Sequence, residues 1–251
     1  MTDQALTAAP PRLHVGHVLA RSFELLLRDF GKFFLLSAIV WLPTFGFSIA
    51  TRLSTRPNGF PLSENAIGAW WIVTWLILSV FGHAVILDGA FQRLCGKSFA
   101  LGRSLRRAVA RFFPMIGVIV CYSLGVGFAS LLLVVPGMIV FLMWYVAVPA
   151  CLLEELGPIA SLRQSRALTK GNRWRILGLT LILSLAGGGA GLILAQFGFA
   201  VFDTGTGTPV VVFLSQTILS AYREIALAVI YHDLRVAREG VDLERVAAVF
   251  D

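Results

Sequence analysis

Charged residues are scarce in this sequence. Asp, Glu, Lys and Arg make up 14% of the 251 residues, whereas soluble domains carry about 25%. Hydrophobic residues make up 57%. A soluble fold of this composition would have too few polar side chains to cover its surface. The composition therefore excludes an ordinary soluble domain and predicts that lipid is the solvent for much of the chain.

Cysteine is also rare, and the three cysteines lack metal-ligand spacing. Cys121 and Cys151 lie within apolar runs. Together with Cys95, they are predicted to be small packing residues without a disulfide. The first eleven residues contain no apolar stretch of the kind found in a signal peptide. The first long apolar run begins at Phe33, and we interpret it as a retained membrane span.

Sequence patterns of known enzymes are absent. The sequence contains no H-E-x-x-H, no G-x-S-x-G and no glycine-rich loop ending in G-K-[ST]. Glu154 and Glu155 are similar to the glutamate pair of membrane CAAX-type proteases, but the Arg expected shortly afterwards is missing. The sequence predicts no metal site and no cofactor, and we expect a protein that is not an enzyme.

Long apolar runs without charge are abundant. A membrane-spanning helix needs about 20 mostly apolar residues. The runs do not alternate as barrel strands do, so they predict an all-α integral membrane protein with six transmembrane helices. A turn at Pro136 is predicted to divide one long run in two. The predicted spans lie in Phe33–Thr51, Ala66–Leu87, the two halves of Phe112–Leu153, Ile176–Phe202 and Thr204–Tyr231.

Basic residues are concentrated on one side of these spans. Of the 21 Arg and Lys residues, all but Arg52 and Arg56 fall on the same alternating side. By the positive-inside rule this side is cytoplasmic and includes both termini, as in a multi-pass protein of a bacterial inner membrane. We expect a disordered tail over 1–11, a six-helix membrane domain over 12–238 and a cytoplasmic tail over 239–251.

Three basic segments mix apolar and charged residues at helical spacing: His17–Phe30, Ala100–Phe112 and Pro158–Lys170. They predict amphipathic interfacial helices on the cytoplasmic side, with basic residues toward anionic phospholipid. The alternative is a short solvated helix packed on the bundle. The basic residues expected at the lipid face are Arg103, Arg106, Arg107, Arg111, Arg163, Arg166, Lys170 and Arg173. An early serine in each segment indicates a weak internal repeat at Ser22, Ser104 and Ser161.

Polar residues within the predicted spans are few, and charges at that depth are costly and often functional. Arg223 and Glu224 are predicted to face the bundle interior, either as a structural pair or beside a transport pathway. His83 is interpreted as a hydrogen-bonded core residue or a ligand. Gln196 and Gln216 are expected to bond across helices. Small residues at four-residue spacing predict close helix packing in two spans, at Gly117, Cys121, Gly125, Ala129, Gly187, Gly191 and Ala195.

Two stretches resemble a known family. One runs from the Val-Pro-Gly turn at Pro136 to Trp174, and the other surrounds Tyr231. The residues that carry the resemblance are Pro136, Gly137, Pro149, Glu154, Gly171, Asn172, Trp174, Tyr231, Asp233 and Arg235. Together they resemble bacterial proteins with the membrane domain of glycerophosphoryl diester phosphodiesterase. One departure is His232, because many relatives have a second Tyr there.

The resemblance implies the membrane module without phosphodiesterase activity. The family's enzymatic domain is a large barrel with metal-binding carboxylates, and no stretch of these 251 residues could hold it. Independently of the family, Tyr231 is expected at the height of the membrane interface. Asp233 is expected to bond a basic residue of the cytoplasmic helices, for example Lys170 or Arg173.

The leading functional hypothesis is a non-catalytic membrane protein that organises, anchors or binds anionic phospholipid or a partner protein at the cytoplasmic face. The alternative is a transporter or lipid translocator with a polar site near Arg223 and Glu224. A translocator should have a polar cavity at mid-membrane depth, whereas a scaffold should have a packed apolar interior.

Overall fold

The computed structural model describes residues 15–54, 64–202 and 207–250 of the chain. These residues form α-helices, with no strand in the described ranges. The helices are α1 (Val15–Arg28), α2 (Phe30–Ser54), α3 (Glu64–Leu94), α4 (Leu101–Ala110), α5 (Phe112–Leu132), α6 (Val134–Met143), α7 (Ala147–Leu153), α8 (Pro158–Leu168), α9 (Arg173–Phe202) and α10 (Gly207–Phe250).

Six segments of the described chain are long and apolar enough to cross a membrane, which confirms the predicted all-α membrane fold. The expected tail over 1–11 lies outside the described residues. Residues 239–250 continue α10 as a helix. The six segments are Phe30–Arg52, Trp71–Leu94, Phe112–Leu132, Val134–Leu153, Arg173–Gly198 and Gly207–Arg238.

The turn between the third and fourth segments falls earlier than predicted. It lies at Leu133, which has extended backbone (φ −164°, ψ 151°), whereas Pro136 and Gly137 belong to the first turn of α6. Proline is accommodated there because the first N–H groups of a helix have no intrahelical partner. Gly137 allows α5 and α6 to approach closely, since a Cβ at this position would lie 2.0 Å from Oγ of Ser130.

The fourth segment is broken between α6 and α7, and α8 satisfies the exposed backbone. The Val146 N–H donates to Oγ of Ser165 at 3.2 Å. The Ser165 hydroxyl donates to the Met143 carbonyl at 3.0 Å, and the Thr169 hydroxyl reaches the same carbonyl at 3.3 Å. Irregular backbone at membrane depth is tolerated where protein groups satisfy it. The buried hydroxyls of α8 therefore stabilise this break.

The three predicted amphipathic segments form α1, α4 and α8, each followed by a short break and a spanning helix. We call the end of the bundle where they lie the basic end. Ser22, Ser104 and Ser161 are fully buried. The Ser22 and Ser161 hydroxyls donate to the carbonyl four residues earlier, at 2.6 and 2.8 Å, whereas the Ser104 hydroxyl donates to Asp88 at 2.6 Å. The three serines share their burial but not their hydrogen-bond partner, and the internal repeat stays a prediction.

Candidate functional site

A closed ring of ion pairs and hydrogen bonds joins the helices at the basic end, and we call this ring the belt. Each link joins two helices or the short breaks beside them. Taken in order, the links lead from α1 to α3, α4, α7 and α10 and then back to α1. The links are Asp29–Arg93, Asp88–Arg107, Arg111–Glu155, Glu154–Tyr231 and Asp233–Arg21.

Asp88 is the most deeply buried acid of the belt. Its side chain has no solvent exposure although it lies near the end of α3. The carboxylate accepts hydrogen bonds from Nε2 of Gln92 and Oγ of Ser104, both at 2.6 Å, and forms an ion pair with Arg107 of α4. A buried carboxylate with this many donors fixes α4 against α3.

Asp29 occupies the break between α1 and α2. It accepts a 2.7 Å hydrogen bond from Arg93 of α3 and a 3.2 Å hydrogen bond from Lys32. Burial raises the pKa of the Asp29 carboxyl, but these hydrogen bonds and the two positive charges outweigh burial. They hold its pKa below the ordinary value of 3.8. Asp29 is therefore a charged link between the first hairpin and α1.

The expected link from Asp233 to a basic residue of an amphipathic helix is present, but the partner is neither of the two examples. Asp233 does not pair with Lys170 or Arg173. It lies 3.7 Å from Arg21 and 3.6 Å from Nδ1 of His17, because α10 packs against α1. The interface height expected for Tyr231 stays a prediction. Its side chain is fully buried beside the Phe91 ring, and its hydroxyl donates to Glu154.

Four predicted lipid-face arginines surround one surface cleft, which we call the arginine cleft. It has a volume of about 720 Å³. Arg107 and Arg111 are held by the belt through Asp88 and Glu155. Arg103 and Arg106 are exposed, and no carboxylate of the described residues lies within 4.0 Å of either guanidinium. The residues lining the cleft are Gly102, Arg103, Arg106, Arg107, Ala110, Arg111 and Glu155.

Helix α4 has three distinct faces. Its small residues Ser104 and Ala108 are buried against the bundle. Its arginines form the cleft. Leu101, Leu105 and Val109 lie on a third face and are 50–58% exposed. This apolar face has no protein partner in the described structure, which fits an interfacial helix better than a solvated one, because acyl chains would remove its surface from water.

The basic residues of α8 lie apart from the cleft. Arg163, Arg166 and Lys170 are exposed, and Arg173 is half-buried at the start of α9. Gly171 has φ +92° in the turn between the two helices, a conformation that favours glycine. Asn172 is buried, whereas Trp174 is 78% exposed. The other positions that carry the resemblance include Pro149, buried in α7, and Arg235, half-buried in α10.

A second cavity lies inside the bundle between the α5–α6 hairpin and the α9–α10 hairpin. Its volume is about 480 Å³, and Arg223 and Glu224 both line it. Its lining residues on α5 and α9 lie seven to eleven positions from the helix starts at Phe112 and Arg173, or about 10–17 Å at helical rise. The other polar and aromatic lining residues are Tyr122, Ser123, Phe141, Trp144, Tyr145, Thr180 and Ser184. We call this space the intramembrane cavity.

Arg223 and Glu224 are adjacent in the sequence, but they do not form an ion pair with each other. Within the described ranges, no ion pair of 4.0 Å or less includes either residue. Arg223 is exposed and Glu224 is half-buried. The two opposite charges are thus separate groups on the wall of the same cavity.

The remaining intramembrane candidates lie outside this cavity. His83 is half-buried in α3, and Gln196 is exposed on α9. Gln216 faces the neighbouring helix, because its Nε2 would lie 3.7 Å from a Cβ added at Gly191. In the described part of the chain, no group of three or more His, Cys, Asp or Glu residues could hold a metal ion.

Comparison with family models, curated proteins and solved structures finds no match. The resemblance to the glycerophosphoryl diester phosphodiesterase membrane domain therefore stays a prediction.

Proposed function

We propose that this multi-pass membrane protein binds anionic phospholipid headgroups in the arginine cleft. The observation that supports this proposal most is that the arginines of the cleft differ in their partners. Arg107 and Arg111 are fixed by carboxylates, whereas Arg103 and Arg106 have none within reach among the described residues. Guanidinium groups form paired hydrogen bonds to phosphate. The fixed pair would shape the cleft, and the other pair would bind the headgroup.

The apolar face of α4 supports lipid as the source of the phosphate. Leu101, Leu105 and Val109 would enter the acyl region while the arginines remain at headgroup depth. In the same proposal, the basic end faces the cytoplasm of a bacterial cell, because nearly all basic residues lie on that side. Reporter fusions after Thr206 and after Asp251 test this orientation, and a periplasmic signal at Asp251 would overturn it.

The binding test uses a matched pair of double variants in the purified full chain. Arg103→Gln with Arg106→Gln removes two headgroup contacts in the cleft and should lower phosphatidylglycerol retention in native mass spectrometry about thirtyfold, at about 1 kcal/mol for each contact. Arg163→Gln with Arg166→Gln removes the same charge from α8 and should change retention less than about twofold. Equal losses would mean that net charge, not the cleft, holds the lipid.

A second candidate function is translocation of an amphipathic solute, which the intramembrane cavity favours. A packed apolar interior was the alternative expectation, whereas the described bundle contains a cavity with Arg223 and Glu224 among its lining residues. Proteoliposomes containing fluorescent lipid test this candidate. Wild-type protein should accelerate exchange between leaflets, and Glu224→Gln should abolish the acceleration. Exchange at the protein-free rate with the wild-type protein would remove this candidate.

A further inference from the structure

The intramembrane cavity contains two opposite charges, Arg223 and Glu224, and neither forms an ion pair among the described residues. A charge at this depth is costly unless another group compensates it. Arg223 and Glu224 could have compensated each other, yet they do not pair, and no other described residue forms an ion pair with them. The compensating charges are therefore absent from the described protein itself.

We propose that the intramembrane cavity binds the headgroup of a zwitterionic amphiphile that carries a phosphate and a primary ammonium, such as phosphatidylethanolamine. Arg223 binds the phosphate through its planar guanidinium. Glu224 binds the ammonium. The aromatic residues Trp144 and Tyr145 line the same space, and a cation is attracted to aromatic rings. One ligand of this class supplies both missing charges.

The size and the opening of the cavity fit a lipid headgroup. A volume of about 480 Å³ is within the usual range of about 300–1,000 Å³ for small-molecule sites. Ser123 and Ser184 line the cavity and are exposed, so the cavity opens at the bundle surface. The surface beside this opening is apolar, with Leu124 57% exposed and Leu185 66% exposed. Acyl chains can lie on that surface while the headgroup occupies the cavity.

This site is separate from the arginine cleft in position and in selectivity. The cleft presents positive charge with two arginines available, so it should favour phosphatidylglycerol, whose negative phosphate charge no ammonium offsets. The intramembrane cavity presents both signs of charge, so it should require the ammonium. Binding here does not require translocation, so the inference stands even if the protein moves no lipid.

The test measures retention of phosphatidylethanolamine and phosphatidylglycerol by the purified full chain in native mass spectrometry. Glu224→Gln should reduce phosphatidylethanolamine retention about tenfold and leave phosphatidylglycerol retention unchanged. Glu224→Asp keeps the charge and should restore most of the preference. Arg223→Gln should weaken phosphatidylethanolamine binding as well. The double variant Arg103→Gln with Arg106→Gln should leave phosphatidylethanolamine retention intact, which separates this site from the cleft.

A second arm identifies the source of the headgroup. Soluble O-phosphoethanolamine is added as a competitor against the retained lipid. Failure to compete at millimolar concentration assigns the site to the lipid, whereas displacement assigns it to the free zwitterion. The inference is overturned if Glu224→Gln retains phosphatidylethanolamine at the wild-type level, or if it loses both lipids equally. Thermal unfolding of each variant accompanies the measurement, and Glu224→Asp decides the outcome if Glu224→Gln unfolds.

Discussion

The Tyr231 hydroxyl donates a hydrogen bond to the Glu154 carboxylate. Tyr231 is fully buried in α10, and Glu154 follows the last residue of α7. The bond joins the two sequence stretches that resemble the phosphodiesterase membrane domain, which are far apart in the chain. This contact of the belt fixes the last helix to the fourth span.

Replacing Tyr231 with Phe should destabilise the protein. The substitution keeps the buried ring but leaves the half-buried Glu154 carboxylate without this donor, at an expected cost of about 1–3 kcal/mol in the free energy of unfolding. Chemical unfolding in detergent measures the change. Tyr122→Phe is the control, because the Tyr122 side chain lines the cavity. The belt would have no special role here if both variants lost the same stability.

Asp88 and Glu155 should differ strongly when neutralised. Asp88 is fully buried with an ion-pair partner, so Asp88→Asn should cost about 3–5 kcal/mol. Glu155 is 60% exposed in its side chain and pairs with Arg111 at 3.0 Å, so Glu155→Gln should cost no more than about 1 kcal/mol. Denaturant unfolding of the two variants in the same detergent compares them. A loss at Glu155 as large as that at Asp88 would contradict the burial argument.

Asp29 should contribute a pH-dependent stabilisation. Its folded pKa lies below the ordinary 3.8, so its contribution is fully present above that value and is lost as the pH falls through the lower folded pKa. Wild-type protein should therefore unfold at a higher temperature than Asp29→Asn near neutral pH. The gap should narrow below about pH 4. If the difference in unfolding temperature stays constant over the whole acidic range, the charge on Asp29 does not cause the stabilisation.

Gly137 and Gly127 offer a matched test of helix packing. A Cβ at Gly137 would lie 2.9 Å from Cα of Ser130, whereas a Cβ at Gly127 would meet nothing within 4 Å. Gly137→Ala should therefore push α6 away from α5 and lower stability by about 1–3 kcal/mol. Gly127→Ala should be neutral or slightly stabilising, since Ala favours the helix. Equal effects in thermal unfolding would exclude close approach as the role of Gly137.

Membrane spans could be predicted from the sequence because lipid imposes a length and a charge rule. Charge-free runs locate the six spanning helices, and the three amphipathic segments become α1, α4 and α8 within a few residues. The same rule placed helix ends wrongly where a helix continues past a charged residue. The second run was expected to end at Leu87, but α3 extends past Asp88 to Leu94 because the carboxylate is satisfied inside the protein.

The belt was missed because it depends on which distant residues meet. Arginines were interpreted as lipid contacts from their position beside apolar runs. Their acidic partners also lie beside such runs, as Asp29 does before Phe30 and Asp88 does after Leu87. The position of these acids at the ends of the spans could have indicated that they pair with the arginines. The pairing itself, such as Asp233 with Arg21, depends on α10 packing against α1, which periodicity does not encode.

Because the belt is closed, the loss of one link and the loss of two links should affect the structure differently. A circuit that loses one contact still connects all its members along the longer path, whereas two losses on opposite sides divide it into separate arcs. In a single variant at Asp29 or at Glu154, the remaining links therefore still connect all the helices of the belt. Combining them should cost more than the sum of the separate costs, even though the two residues share no contact. A survey that changes one residue at a time would therefore understate the contribution of each link.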